Sequence, residues 1–252
     1  MIKTIILWVL NLFDYSYQKK WIKFLKKNKY NKFKLLIDIG AHKGESIELF
    51  SKNFIIKKII SFEASPINFK YLKKKIEINK QVYNNTEIVL ENIALGAENK
   101  IVEFKQFEES SSSTIKKIDK ESKYYKRKFR LINFLNNGQI YKKIQIKIFK
   151  LKDYIEKNNI EKIDFMKIDT EGYEFEILLG LESKIQLVDI IMFEHHYDNM
   201  IKKGYTFTDI NKLLVKNRFE KIYKSKMPFR KTFEYIYKRE ELINWKTLKY
   251  QY

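Results

Sequence analysis

Phe33-Lys34-Leu35-Leu36-Ile37-Asp38-Ile39-Gly40-Ala41-His42-Lys43-Gly44 is the stretch on which the fold of this chain turns. An apolar run ending on an acid, Phe33 to Asp38, reads as a buried strand. It passes directly into a glycine turn, and Glu45-Ser46-Ile47-Glu48-Leu49-Phe50 then places Ile47 and Phe50 on one helix face. Strand, glycine turn and helix make the layout in which backbone N–H groups and a helix N-terminus meet a ligand. Gly40 and Gly44 suit the turn because a Cβ would hinder a sharp reversal or a close backbone approach. His42 stands where the dinucleotide-binding G-x-G-x-x-G has its second glycine, and the Gly-Lys-Ser/Thr of a phosphate-binding loop is missing.

The pattern repeats downstream. Ile59-Ile60-Ser61-Phe62 predicts a second strand ending in Glu63, where an acid accepts hydrogen bonds from both hydroxyls of a ribose. Ser65-Pro66 then offers a cap and a favoured first helical residue, with Phe69, Leu72 and Ile76 at helical spacing. Thr86 to Glu91 predicts a third strand, and the loop after it makes Asn92 and Ala94 candidate neighbours of a nucleoside base. Ile163 to Ile168 predicts a fourth strand that delivers Asp169, Glu171 and Gly172 to the rim where open α/β sheets bind ligands. Val188 to Phe193 predicts a fifth, ending in Glu194-His195-His196. Thr208 is read as the cap of a helix carrying Ile210, Leu213 and Leu214. Phe219–Tyr223 and Thr232–Tyr237 flank Pro228 as an antiparallel strand pair.

Four of these blocks, in order, resemble the FkbM-type methyltransferases: Asp38 to Gly44, Phe62-Glu63-Ala64-Ser65-Pro66 with Phe69, Leu72 and Asn79, Asn92-Ile93-Ala94-Leu95-Gly96, and Ile163-Asp164-Phe165-Met166-Lys167-Ile168-Asp169-Thr170-Glu171-Gly172-Tyr173-Glu174. The likeness runs from about Leu35 to about Tyr237. It implies a class I methyltransferase fold, a Rossmann-like α/β architecture with a seven-stranded, mostly parallel sheet and a C-terminal antiparallel pair. It also implies S-adenosylmethionine as cofactor and O-methylation of a carbohydrate or small-metabolite hydroxyl, with N-methylation the alternative. Carried onto this sequence, Asp38, Gly40, His42 and Gly44 surround the methionine part of the cofactor, Glu63 takes the ribose, and Asn92 and Ala94 flank the adenine.

Composition narrows the rest. The chain has 252 residues and no Cys, which removes disulfides, thiolate nucleophiles and Cys-ligated metals. A cytoplasmic protein fits, and an extracellular disulfide scaffold does not. The formal charge is +20, yet only five of the 51 basic residues are Arg. Arg is the preferred bidentate reader of phosphate and guanine, so the excess Lys reads as solvated surface rather than a dedicated nucleic-acid face. The apolar run Ile5 to Leu10 is too short to span a bilayer, which takes about 20 apolar residues. Residues 1–30 are read as an amphipathic helical segment, packed on a methyltransferase domain of residues 31–252. Alternatively, Lys19, Lys20, Lys23, Lys26 and Lys27 meet anionic lipid and make the protein membrane-peripheral.

Ile101 to Phe107 and Ile144 to Ile148 alternate as half-exposed strands, and between them an insertion near 108–143 carries the run Ser110-Ser111-Ser112-Ser113 and a basic, Tyr-rich stretch. It reads as a solvated loop or as a lid over an acidic or sugar-bearing acceptor. The three histidines, His42, His195 and His196, all fall at predicted strand ends. Methyl transfer to a hydroxyl needs a positioned acceptor and a proton acceptor. His195 or His196 is expected to be that base, oriented by Asp169 or Glu171 and with no metal. The alternative is a divalent cation held by Asp169, Glu171, Glu194 and a histidine. Two other functions remain in view: a nicotinamide-dependent oxidoreductase on a similar fold, and a non-catalytic binder of RNA or anionic membrane.

Overall fold

Strand β1 (Lys32–Ile39) and strand β2 (Ile55–Phe62) carry the same burial profile, alternating at first and then fully buried toward their carboxyl ends. That is the profile of parallel strands covered on both faces. The structure, a computed structural model, describes residues 17–240 apart from 84, 108–112, 124, 127–140, 199 and 229. Ile5–Leu10 and most of the basic, Tyr-rich stretch of the insertion therefore lie outside the described residues.

In chain order, helix α1 (residues 17–27) precedes β1, and α2 (Glu45–Asn53) links β1 to β2. Helix α3 (Pro66–Ile78) leads to β3 (Glu87–Glu91), which is followed by β4 (Ala94–Gly96), β5 (Lys100–Phe107), β6 (Lys117–Ile118) and β7 (Tyr141–Lys150). Helix α4 (Leu151–Lys157), β8 (Ile163–Ile168), α5 (Glu174–Leu179), β9 (Val188–His196) and β10 (Ile201–Lys202) follow. The described chain closes with α6 (Phe207–Lys216), β11 (Phe219–Lys226) and β12 (Thr232–Arg239).

Seven strands form the central sheet in the order β11-β12-β9-β8-β1-β2-β3. Pairing is parallel from β9 through β3, whereas β12 runs antiparallel to β9 and β11 antiparallel to β12. The sheet reverses its winding at β1, whose neighbours β2 and β8 come from opposite ends of the sequence. Ligands of open α/β sheets bind at the carboxyl ends beside such a reversal. The two half-exposed strands do not join this sheet. They are β5 and β7 of a separate three-stranded sheet, β4-β7-β5, whose pairing Ile101 and Lys147 share across an antiparallel ladder.

Alternation along the strands divides the core in two. Ile37, Ile39, Met166, Ile168, Ile191 and Phe193 face one side with α4, α5 and α6. Leu36, Phe165, Ile190 and Met192 face the other with α1 and α2. Helix α1 is built into this second core: Tyr17, Trp21, Ile22 and Leu25 are buried, and Trp21 lies against Phe50 and Phe54 at ring-centroid distances of 5.4 and 6.3 Å. The cap of α6 is Thr206, not Thr208. Thr206 and Asp209 form a reciprocal capping box, which satisfies two backbone donors where Thr208, one turn inside, would satisfy none.

Because Trp21 is only 2% exposed and packed on the Phe50 and Phe54 rings, Trp21→Ala is expected to cost about 3–5 kcal/mol. Urea denaturation checks this. An unchanged midpoint would mean that α1 contributes nothing to the domain.

Candidate active site

The carboxyl ends of β1, β2, β3, β8 and β9 lie along one rim, and the loops leaving them interlock. Gly40 N–H and Ala41 N–H donate to Phe62 O at 2.9 and 3.1 Å, which ties the β1 turn to β2. Asp169 N–H donates to Ile39 O at 2.9 Å, which ties it to β8. Gly40 has φ 85°, and a Cβ there would sit 1.8 Å from Asp169 O. The glycine is thus required by the approach of β8 as much as by the turn. Gly44, at φ 86°, ends the turn and starts α2.

Asp38 is fully buried. Its Oδ2 accepts from the Ser46 hydroxyl in the first turn of α2, while Oδ1 has no hydrogen-bond partner. Glu63 is 6% exposed, with one oxygen accepting from His42 N–H and the other from Ser65 N–H, both at 2.8 Å. Burial pushes its carboxyl up to about 7, against the pull of those two backbone groups. His42 takes a positive φ of 50° to present that N–H, and its ring turns outward to Glu45 at 3.2 Å. Asn92 holds the third loop to the second by donating from Nδ2 to Glu63 O at 2.7 Å. Ala94 lies at the start of β4, buried at the edge of the third loop within the hydrophobic core.

On the β8 side, Asp169, Thr170, Glu171 and Gly172 form a turn with φ 52° at Glu171 and 93° at Gly172. The buried carboxylate of Glu174 organises it, accepting from Gly172 N–H at 2.9 Å, from Thr170 N–H and Thr170 Oγ1 at 3.3 Å, and from the Tyr205 hydroxyl. The first part of the insertion is fastened to the same turn. Thr114 Oγ1 donates to Glu171 O at 2.9 Å, β6 pairs with β10, and Lys116 reaches Glu176.

A buried charge cluster lies beneath. Lys167 Nζ stands 3.1 Å from Asp169 Oδ2 and 3.6 Å from Asp38 Oδ1. Burial works against its ammonium, but Asp169, Asp38 and Glu194 outweigh that and raise it above the usual lysine range. Glu194 and Glu234 face each other across the β9–β12 ladder. Burial, and for Glu194 the neighbouring Asp169 charge, raises Glu194 well above the carboxylate range and Glu234 to about 8. Among the described residues, no three His, Asp or Glu side chains are arranged to hold a metal ion.

The two adjacent histidines stand in different surroundings, His196 beside the cluster and His195 away from it. His196 points to the side of Glu194, its Nε2 3.5 Å from Glu171 Oε2 and 3.9 Å from Glu194 Oε2, its Nδ1 3.7 Å from Asp198 Oδ2. Burial pulls the ring down, but Glu171, Asp198 and Glu194 outweigh it and raise it to about 10, so it is an imidazolium at neutral pH. His195, one residue earlier in the strand, points to the opposite face among Tyr197, Tyr205 and Phe207. Burial, then the charges of Lys203 and His196, lowers it to about 3. Four residues of the site went unread in the sequence: Lys167, Glu174, Glu234 and Tyr17. For Lys167 there was a signal, since a lysine inside an otherwise apolar strand is almost never buried without a partner.

The sheet order and the glycine turn define a class I methyltransferase fold. The model of the FkbM methyltransferase domain matches residues 38–222, and the chain belongs to that family. The FkbM methyltransferase of Methylobacillus flagellatus KT is 14% identical over 81% of this chain, with a TM-score of 0.53. This chain spans 43% of that one. Magnesium protoporphyrin IX methyltransferase from Synechocystis PCC 6803, solved with bound S-adenosylmethionine, is 10% identical over 91% of this chain and 81% of its own, with a TM-score of 0.51. No curated protein sequence matches the chain. The cofactor of this family is S-adenosylmethionine, and the residues present suit it. The molecule offers an ammonium and two ribose hydroxyls as donors, and the strand ends offer the Asp38 carboxyl, whose Oδ1 has no hydrogen bond and only Lys167 Nζ at 3.6 Å, and the Glu63 carboxylate.

Ribose hydroxyls donate to a carboxylate, so cofactor binding favours ionised Glu63. With the free carboxyl at about 7, affinity for S-adenosylhomocysteine is expected to fall as the pH drops below 7, by up to about tenfold per unit. Glu63→Gln is expected to bind weakly with a flatter profile. Titration calorimetry between pH 5.5 and 8.5 checks both, and an identical slope in the variant would remove Glu63 from the ribose site.

Proposed function

We propose that this chain transfers a methyl group from S-adenosylmethionine to a hydroxyl of a carbohydrate or small-metabolite acceptor, with Glu194 receiving the hydroxyl proton. The observation that carries this reading is the position of Glu194. It lies near the carboxyl end of the fifth parallel strand, beside Asp169 and His196, with a carboxyl that burial raises well above the ordinary carboxylate range. When bound, the cofactor supplies an electrophilic methyl group. Asp38 and Glu63 hold its donors, and the loops of β1 and β2 fix it against the rim.

Acid–base function then divides among neighbours by their environments. Glu194 is basic enough to accept a proton as the acceptor oxygen becomes nucleophilic. The His196 imidazolium balances the negative charge that Glu194 and Glu171 present, and it donates rather than accepts. Asp169 and Glu171 face the same rim and orient a polyhydroxyl acceptor by paired hydrogen bonds. A carbohydrate suits these groups because each carboxylate accepts from a hydroxyl pair. The cytoplasm, where the methyl donor is made, is the compartment this reading requires.

Glu194→Gln keeps size and hydrogen bonding but cannot take a proton. Transfer of labelled methyl into a carbohydrate and small-metabolite fraction is expected to fall about 100-fold or more, with S-adenosylhomocysteine affinity within a few-fold of the parent. His195→Ala, on the opposite face, is expected to affect transfer far less. Loss of transfer in His195→Ala with full activity in Glu194→Gln would reverse the assignment. Activity lost to chelator and restored by magnesium or manganese would replace the proton acceptor by a metal.

A further inference from the structure

Helix α1 carries a surface unrelated to the rim. From residue 17 to residue 30 the chain has six lysines and no acid, and Lys19, Lys20, Lys23, Lys26, Lys27 and Lys29 are all exposed. The opposite side of the helix is locked into the core through Tyr17, Trp21 and Leu25, so these lysines project from a rigid support rather than from a tail. Between α1 and α2 runs an open groove of about 600 Å³. Its walls are Lys19, Lys23, Lys26 and Lys27, and its floor includes Ile22 and Leu49. No carboxylate lines it. Lys26 is turned inward, donating to Asn53 Oδ1 at 3.3 Å with its ammonium over the Phe54 ring.

We propose that this groove seats the anionic headgroup of a membrane phospholipid and docks the protein on an anionic bilayer through α1. Charge complementarity favours a phosphate-bearing partner, and the apolar floor favours one that brings a glyceride portion beneath its phosphate. Free phosphate would leave Ile22 and Leu49 unused. RNA would call for exposed aromatic rings to stack bases and for Arg to read them, and the groove has neither. Lysines on one face of an interfacial helix each add to the attraction toward an anionic leaflet, and that attraction is screened by salt. Among the described residues, no helix is long and apolar enough to cross a membrane, so the contact is peripheral.

The test is co-sedimentation of the full chain with vesicles of neutral phosphatidylcholine alone or with 30% phosphatidylglycerol. Binding is expected only to the anionic vesicles, falling steeply between 50 and 300 mM salt. Lys23→Glu with Lys27→Glu is expected to reduce the bound fraction at least tenfold while leaving S-adenosylhomocysteine affinity unchanged, which separates docking from the methyltransferase site. Lys23→Gln with Lys27→Gln gives a milder loss should the charge reversal disturb folding. Equal binding to both vesicles, binding untouched by either double variant, or capture of an RNA oligonucleotide or inorganic phosphate with no vesicle binding would each overturn the proposal.

Discussion

A single buried ammonium, Lys167 Nζ, sets the conditions under which the rim of this sheet exists. It lies in β8 between β1 and β9, 3.1 Å from Asp169 and 3.6 Å from Asp38, in a region that also holds Glu194 and Glu234. Taking one charge out of water costs several kcal/mol, and only close opposite charges offset it. Removing the ammonium would leave the carboxylates facing one another in a medium that screens them poorly, at about 3–5 kcal/mol for a broken buried pair. Asp38 and Asp169 stand at the ends of adjacent parallel strands, and that ammonium is what lets both stay there. The burial of Asp38 and the placement of Asp169 at the rim both follow.

Charge balance explains the site's chemistry better than any single residue. Four carboxyls crowd one face of the sheet, with one lysine and the His196 ring to offset them. Glu194 and Glu234 oppose each other directly, a pairing that is destabilising for two like charges. Burial raises both above the ordinary carboxylate range, and for Glu194 the Asp169 charge adds to it. Tyr17 reinforces this from α1: its hydroxyl donates to Ser225 O at 3.2 Å and lies against Glu234. Against the pull of burial, the same crowding raises the His196 ring to about 10, through Glu171, Asp198 and Glu194.

The legible part of the molecule was the part written in local runs. Strands β1, β8 and β9, the glycine turn and Glu63 stand close to where their apolar stretches and terminal acids put them, because burial on both faces leaves a continuous signature. The adjacency His195-His196 misled for the opposite reason. In a strand, neighbours point to opposite faces, so two histidines in sequence are two environments, one among aromatics and one among carboxylates. The three-stranded sheet of β4, β5 and β7 depends on pairings such as Val102 with Ile146, across an insertion whose length hides them. Glu174 looked like an ordinary helix acid, and only the fold brings Tyr205 and the Thr170 and Gly172 amides to it.

The lysine-rich stretch before the first strand reads as an amphipathic segment packed on the domain, and its described part packs there. Trp21 and Leu25 sit in the same core as Phe50, Phe54 and Phe165, and the Tyr17 hydroxyl reaches Ser225 O. Amphipathic composition reports how much of a helix faces solvent and says nothing about what lies under the rest. Here the covered side completes one of the two cores. The exposed lysines are then a property of the domain itself, held at a fixed distance from the rim, because the helix that bears them cannot leave the sheet without opening the core around Trp21.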